Sequence, residues 1–338
     1  MKQFTLSMPV RYLINFCVLA LFLFLGNLLM NSGMIPRGHI NNIVQVGIFI
    51  ILAVSLNLVT GYLGQLPLGH AGFMAVGAYA GAIFWRSGVL SGNLSMVSGL
   101  VVAGLVASVF GVLIGIPALR LKGDYLAIIT LGFGEIIRVL INNLSGITGG
   151  AMGLATHRHR YATFLVVFAC VIFACGVIHM IMKSRHGRAI LSIRDNEIAA
   201  ESCGIQTTYY KVMAFAVSAF FAGIAGALFA SNAGFLQPDL FDFMTGINIL
   251  MIVVLGGMGS MAGSVVAATI LTSLPFLMQW MSQYRMIIYA IILIVVMIFK
   301  PSGLMGTYDF SLTKLIEKAV RRLRKENPKQ GGEENGKA

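Results

Sequence analysis

The stretch Ile287-Ile-Tyr-Ala-Ile-Ile-Leu-Ile-Val-Val-Met-Ile-Phe299 decides the fold class. It carries no charge and no alternation of apolar with polar positions. A strand in a membrane barrel faces lipid on one side and a lumen on the other, so its sequence alternates; a helix in lipid can be apolar all round. Backbone polar groups in a bilayer must be satisfied internally, which leaves helices or a closed barrel, and this run selects the helix. Similar runs recur throughout the 338 residues, which are 57% hydrophobic and 11% charged. Soluble domains run at roughly a quarter charged, so most of this surface is expected to face lipid. The 39 glycines suit transmembrane helices, where small residues let backbones pack closely.

Working outward from that run, the hydropathy pattern predicts spans at 11–30, 42–60, 69–86, 95–119, 124–143, 162–182, 211–233, 243–259, 262–281 and 285–300. The predicted class is an all-α polytopic membrane protein of about ten helices, each matched to a ~30 Å hydrocarbon core. The run after Lys2 and Arg11 is too long for a secretory h-region and lacks a small-residue cleavage site, so it reads as a retained first span. With the N-terminus cytoplasmic, inside segments hold 18 of the 24 Lys and Arg, leaving outside only Arg37, Arg86, Arg138, Arg158, Arg160 and Arg285. Both termini are therefore expected in the cytoplasm. The net charge of +12 is accounted for by this asymmetry rather than by nucleic-acid binding. Trp85, Trp280 and Tyr284 mark span edges.

Two segments stand outside the lipid. The loop 184–210 is rich in charge and carries a short helix over Arg194–Gly204, with Ile193, Ile198, Ala199, Ala200 and Cys203 as a small apolar stripe and Gly204 as its stop. Such a helix offers a face to a soluble partner, or is a solvated turn. The tail 307–338 begins as a basic amphipathic helix and ends polar and Gly-rich. The predicted organisation is a transmembrane domain over 1–306 and this tail.

No metal or catalytic constellation is expected. HExxH, CxxC and GxSxG are absent, and Cys17, Cys170, Cys175 and Cys203 lack ligand spacing. The Gly-rich end at 331–338 lacks the Ser or Thr and the strand–helix setting of a phosphate loop. The chain is thus expected to hold no cofactor, and any ATP is used by another chain. Polar groups inside spans are costly and become candidates by default. Glu135 and Arg138 can meet on one helix face. His70, Gly69 and Gly72 restart a helix after the break containing Gly64 and Gln65, and such a break can present N–H groups to an anionic ligand. Asn57, Asn142, Asn143 and Asn248 complete the set of candidate hydrogen-bonding groups.

These residues fall into stretches that resemble a known family. Gly61-Tyr-Leu-Gly-Gln-Leu-Pro-Leu-Gly-His-Ala-Gly72, Leu119-Arg-Leu-Lys-Gly-Asp-Tyr125 with the run on to Arg138, the segment 188–205, Val254-Leu-Gly-Gly-Met-Gly-Ser260 and Lys300-Pro-Ser-Gly-Leu-Met-Gly306 together resemble the M-type permease subunit of branched-chain amino acid ABC importers. The resemblance implies an inverted-repeat permease in a bacterial inner membrane, a second permease subunit, two cytoplasmic ATPase subunits and a periplasmic binding protein. It also implies that the segment with Arg194, Asp195, Glu197, Ala199, Ala200 and Gly204 is the coupling helix. The inverted alignment sets the break at 64–73 against 234–242. Pro67 and the short outer stretch 155–161 depart from the family pattern, and permeases of this shape also import urea or short amides. An ion-coupled transporter would keep acidic groups deep in its spans, where only Glu135 qualifies, beside Arg138. A membrane enzyme would need a convergent reactive set, which the sequence lacks.

Overall fold

The computed structural model describes residues 21, 23–30, 36–90, 92–121, 123–156, 161–277, 284, 287, 290–291, 294–295, 298–299 and 303–306. The first span before residue 21, the histidines at 157 and 159, Trp280, much of the tenth span and the tail 307–338 lie outside the described residues. The long helices are α1 (Arg37–Asn57), α2 (His70–Ser87), α3 (Gly92–Ala118), α4 (Asp124–Asn143) and α5 (Phe164–Lys183). A charged elbow follows, α6 (Arg185–Asp195) and α7 (Glu197–Ser202), and then α8 (Thr207–Ala233), α9 (Phe243–Gly256) and α10 (Met261–Leu277). Among the described residues five helical stretches, Gly38–Tyr62, Gly92–Ala118, Phe164–Lys183, Thr207–Ala233 and Pro238–Gly256, are long and apolar enough to cross a membrane. The helix α2 sits where a span is expected but falls outside this set, and most of it is buried among other helices. A helix shielded from lipid has no need of a lipid-soluble surface.

The centre of the bundle is α8, which packs against α1, α2 and α3. Small residues make this possible. A Cβ on Gly77 would strike the backbone of Gly223, and one on Gly226 would strike the Met74 carbonyl, so α2 and α8 touch backbone to backbone. On its other side Gly223 leaves no room for a Cβ against Ala103 and Ala107 of α3. Such contact gains many dispersion interactions in a setting where lipid gives no hydrophobic drive between helices. Phe215 and Phe221, both fully buried, fill the wider gaps around it. Trp85 ends α2 as expected but is buried rather than interfacial, and its indole N–H donates to the Ser95 carbonyl of α3 at 3.0 Å.

The two ends of α8 define the two ends of the molecule. Beyond its C-terminus, β1 (Leu154–Ala155) pairs antiparallel with β2 (Phe235–Leu236), and the Ser231 hydroxyl accepts from the N–H groups of Tyr161 and Ala162. Ala155 and Tyr161, at the two ends of the short outer stretch, are thus tied to the C-terminal end of α8 and the strand that follows it. At the other end lie the elbow, the termination of α1 and the α9–α10 turn. There α1 passes into a π-helical segment, Leu58–Tyr62, before the chain breaks at Gly64, which has φ +75°. Such π turns gather at functional sites.

Candidate functional site

The elbow differs from the single Arg194–Gly204 helix expected from sequence. Asn196 is extended, with φ −160° and ψ 107°, and its side chain accepts from the Ala199 N–H at 3.1 Å, so it caps α7 as a new helix. Arg194 and Asp195 therefore close α6, while Glu197, Ala199 and Ala200 belong to α7. Ending a helix and restarting it one residue later re-aims the side chains. Ile193 and Ala200 are buried, whereas Ile198 is 72% exposed and Ala199 and Cys203 are also exposed. The expected stripe is thus split into an inner and an outer set. Gly204 ends α7 as expected: at φ +81° it donates to Glu201, and the Ile205 N–H donates to Ala200, the two bonds of a Schellman cap.

Two polar contacts fix α7 to α8. The Lys211 ammonium, 3% exposed, donates to the Glu197 carboxylate at 2.7 Å, and the Thr207 hydroxyl donates to Glu201 at 2.6 Å. Glu197 thus faces inward, and the outward surface of α7 is carried by Ile198, Ala199 and Ser202.

Beneath the elbow the chain breaks converge. The Asn57 amide accepts from the Gly259 N–H at 2.9 Å and donates to the Ser260 carbonyl at 3.0 Å, so this candidate path residue is fully buried and joins α1 to the α9–α10 turn. Gly61 lies against Gly259 so closely that a Cβ would collide. Arg194 donates to the Gly61 carbonyl at 3.2 Å. Gly64 lies under the Arg194 stem, and the Gln65 N–H donates to Val59 at 3.0 Å. The segment 303–306 meets the end of α9 just before this turn, where the Leu304 N–H donates to the Leu255 carbonyl at 2.7 Å. Sequence reasoning missed this convergence because its partners lie some two hundred residues apart, |i−j| 202 and 203 for the Asn57 pair.

A second group gathers where α2 and α9 begin. The Leu68 N–H donates to the Thr130 hydroxyl of α4 at 3.0 Å, and a Cβ on Gly69 would meet the Thr130 carbonyl, so this glycine is required for close approach to α4. Leu68, Gly69, Gly72, Gly134, Glu135, Asp242 and Phe243 line a cleft of about 10 Å³. That volume holds about one water and is closed to an amino acid. Asp242 caps α9 by accepting from the Thr245 N–H at 2.8 Å. The breaks at 64–73 and 234–242 thus contribute to one cleft. Glu135 does pair with Arg138, Nε to Oε2 at 2.8 Å, and Arg138 also donates to Asp239 at 3.0 Å, a third member absent from the sequence reading. His70 does not line the cleft. It is buried toward α1, where the Ser55 hydroxyl donates to Leu52 and leaves its lone pair for His70 Nε2 at 3.1 Å. The Ser218 hydroxyl of α8 donates to the Ser55 carbonyl at 2.7 Å, so His70 closes a three-helix polar joint. Asn248 is exposed on α9, apart from the cleft lining.

Among the described residues no group of His, Cys, Asp and Glu is arranged to hold a metal. Apolar spanning helices, breaks meeting inside the bundle and a firmly anchored polar elbow define a polytopic α-helical membrane protein. Residues 39–298 match the family described as branched-chain amino acid transport system, permease component, and the chain belongs to that family. It is 37% identical over 313 residues to the high-affinity branched-chain amino acid transport system permease protein LivM of Salmonella typhimurium, covering 80% of this chain and 71% of the relative. The LivM protein of Escherichia coli is similar to the same extent, 37% over 313 residues with the same coverage. The permease protein LivH of Escherichia coli is 24% identical over 289 residues, covering 79% of this chain and 94% of the relative. No solved structure is a significant match.

Proposed function

We propose that the chain is the membrane-spanning permease subunit of an ABC importer that translocates branched-chain amino acids. A separate periplasmic binding protein delivers the substrate, a second permease subunit completes the path, and two ATPase subunits bind and hydrolyse the ATP. The observation that carries this reading is the elbow: a charged helix pair with Ile198 and Ala199 turned outward, held to α8 by a buried ion pair. A short exposed helix braced on its inner side transmits a push instead of flexing. The outward face of α7 is the proposed docking surface for an ATPase, with Gly204 setting its end and Glu197 its brace.

The charge asymmetry supports an orientation with the elbow and both termini in the cytoplasm, and the permease reading puts the protein in a bacterial inner membrane. Domains 1–306 and 307–338, ten spans and an inverted repeat remain part of this reading; breaks from both halves meeting at one cleft support the repeat. The cleft also bears on substrate. Its two acidic wall residues are both engaged, Glu135 by Arg138 and Asp242 by the Thr245 N–H, so little fixed charge is left to offset desolvation of a strongly ionic solute. A zwitterion needs only dipoles and a few hydrogen bonds, such as the helix starts of α2 and α9 provide. Purification of the chain from its native membrane in mild detergent tests the assignment. ATPase subunits are expected in the complex; a lone chain that transports in response to an ion gradient would contradict it.

A further inference from the structure

We propose that Arg194 is a positioning residue for transport, the pin that fastens the α6–α7 elbow to the end of α1 at the point where α1 packs on the α9–α10 turn. The inference rests on the permease reading above and concerns how motion of the elbow reaches the spans.

Three features of the side chain support it. Nε and Nη2 are both held by the Asp195 carboxylate, at 3.2 and 3.1 Å, which orients the guanidinium and leaves Nη1 to donate to the Gly61 carbonyl at 3.2 Å. Gly61 belongs to the last turn of the π segment, where carbonyls lack an onward helical partner and the helix dipole is negative, so a cation is favoured there. The stem lies so close over Gly64 that a Cβ there would sit 2.8 Å from Cγ, and the same Nη1 lies 3.7 Å from the position of a Cβ on Gly259. One side chain from the elbow thus reaches the break of the first half and the turn of the second.

The surroundings make this contact a lever. On the elbow side, α6 is seated in the bundle by Ala189, Ile190 and Ile193. On the span side, Gly61 and Gly259 are already locked together by their close approach and by Asn57, which holds Gly259 and Ser260. A shift of Arg194 therefore pulls on a joint shared by α1, α9 and α10. A planar fork can serve Asp195 and Gly61 at once; the ammonium of a lysine cannot hold that geometry. Asp195 is 68% exposed, so the pair by itself adds little stability, and its placement is what matters.

The test uses the whole transporter, this chain with its permease partner, ATPases and binding protein, in proteoliposomes. Uptake of leucine and ATP hydrolysis are measured together for the native chain, R194A and R194K, per assembled complex. With R194A, ATPases remain bound and ATP is still hydrolysed, but ATP consumed per leucine imported rises about tenfold or more, the scale of losing one charged hydrogen bond. R194K recovers part of the ratio. An unchanged ratio in R194A would overturn the proposal. So would uptake and hydrolysis falling in proportion, and so would loss of the ATPases, which would make Arg194 a docking residue. If the native chain itself retains no ATPase, the proposed function fails and the pin fails with it, a result distinct from any difference between variants.

Discussion

The ammonium of Lys211 and the carboxylate of Glu197 lie 2.7 Å apart at the foot of α8, with Lys211 3% exposed and Glu197 22%. Removing one partner of such a pair strands a charge in a poorly hydrated site. E197A is expected to destabilise the chain by about 3 kcal/mol, at the lower end for buried pairs because Glu197 retains some solvent. The double variant E197A/K211M should recover most of that loss. Thermal unfolding in detergent checks both, and equal losses in the single and double variants would show that the ion pair is not the brace.

Gly204 offers a separable test of the elbow. At φ +81° any L side chain is strained, yet a Cβ there meets nothing within 4 Å. G204A should therefore cost about 1–2 kcal/mol through backbone conformation alone, and G204N less, since Asn tolerates the left-handed region. Proteolysis rates of the elbow in the purified protein rank the variants. A ranking that follows side-chain size instead would point to a steric role.

The helix crossing at Gly77 and Gly223 predicts a sharp contrast between glycines. G77V cannot be accommodated without separating α2 from α8, so folded yield should collapse. Gly176 lies in exposed helix with nothing within 4 Å of a Cβ, and G176A should be neutral or stabilising by up to about 1 kcal/mol. Size-exclusion profiles of the two proteins distinguish the cases. A monodisperse G77V would refute the packing.

The Glu135–Arg138–Asp239 group predicts an asymmetry. Asp239 is 88% exposed, so D239N should change stability by less than about 1 kcal/mol. R138M removes the cation facing the half-buried Glu135 on α4 and should cost about 1–3 kcal/mol. Comparable melting shifts for the two would contradict this.

Much of the bundle was legible because apolar runs have the length a bilayer demands, and α1, α3, α5 and α8 fall on the predicted spans. Gly204 was legible too, since a glycine after a short apolar stripe is a helix stop. The break at Asn196 was readable in principle from an Asn followed by an acidic first turn, but the apolar stripe from Ile193 to Cys203 runs across it as if along one helix. The roles of Asn57, His70 and Arg194 were not legible. Each depends on a contact with a distant part of the chain, and no local pattern announces that Asn57 meets Ser260 or that Arg194 meets Gly61. Buried against protein rather than lining the cleft, Asn57 and His70 serve as joints of the bundle.

Conduction of branched-chain amino acids by this chain, as one part of an ATP-driven importer, is a property of the whole complex. Its most direct test is uptake by the reconstituted transporter, with and without the binding protein, across leucine, isoleucine, valine, urea and a sugar. ATP-dependent uptake of the three branched-chain amino acids that requires the binding protein is expected, because Glu135 and Asp242 are already engaged and leave no fixed charge for a tight grip. Preference for urea or the sugar, or saturable high-affinity uptake without the binding protein, would contradict it.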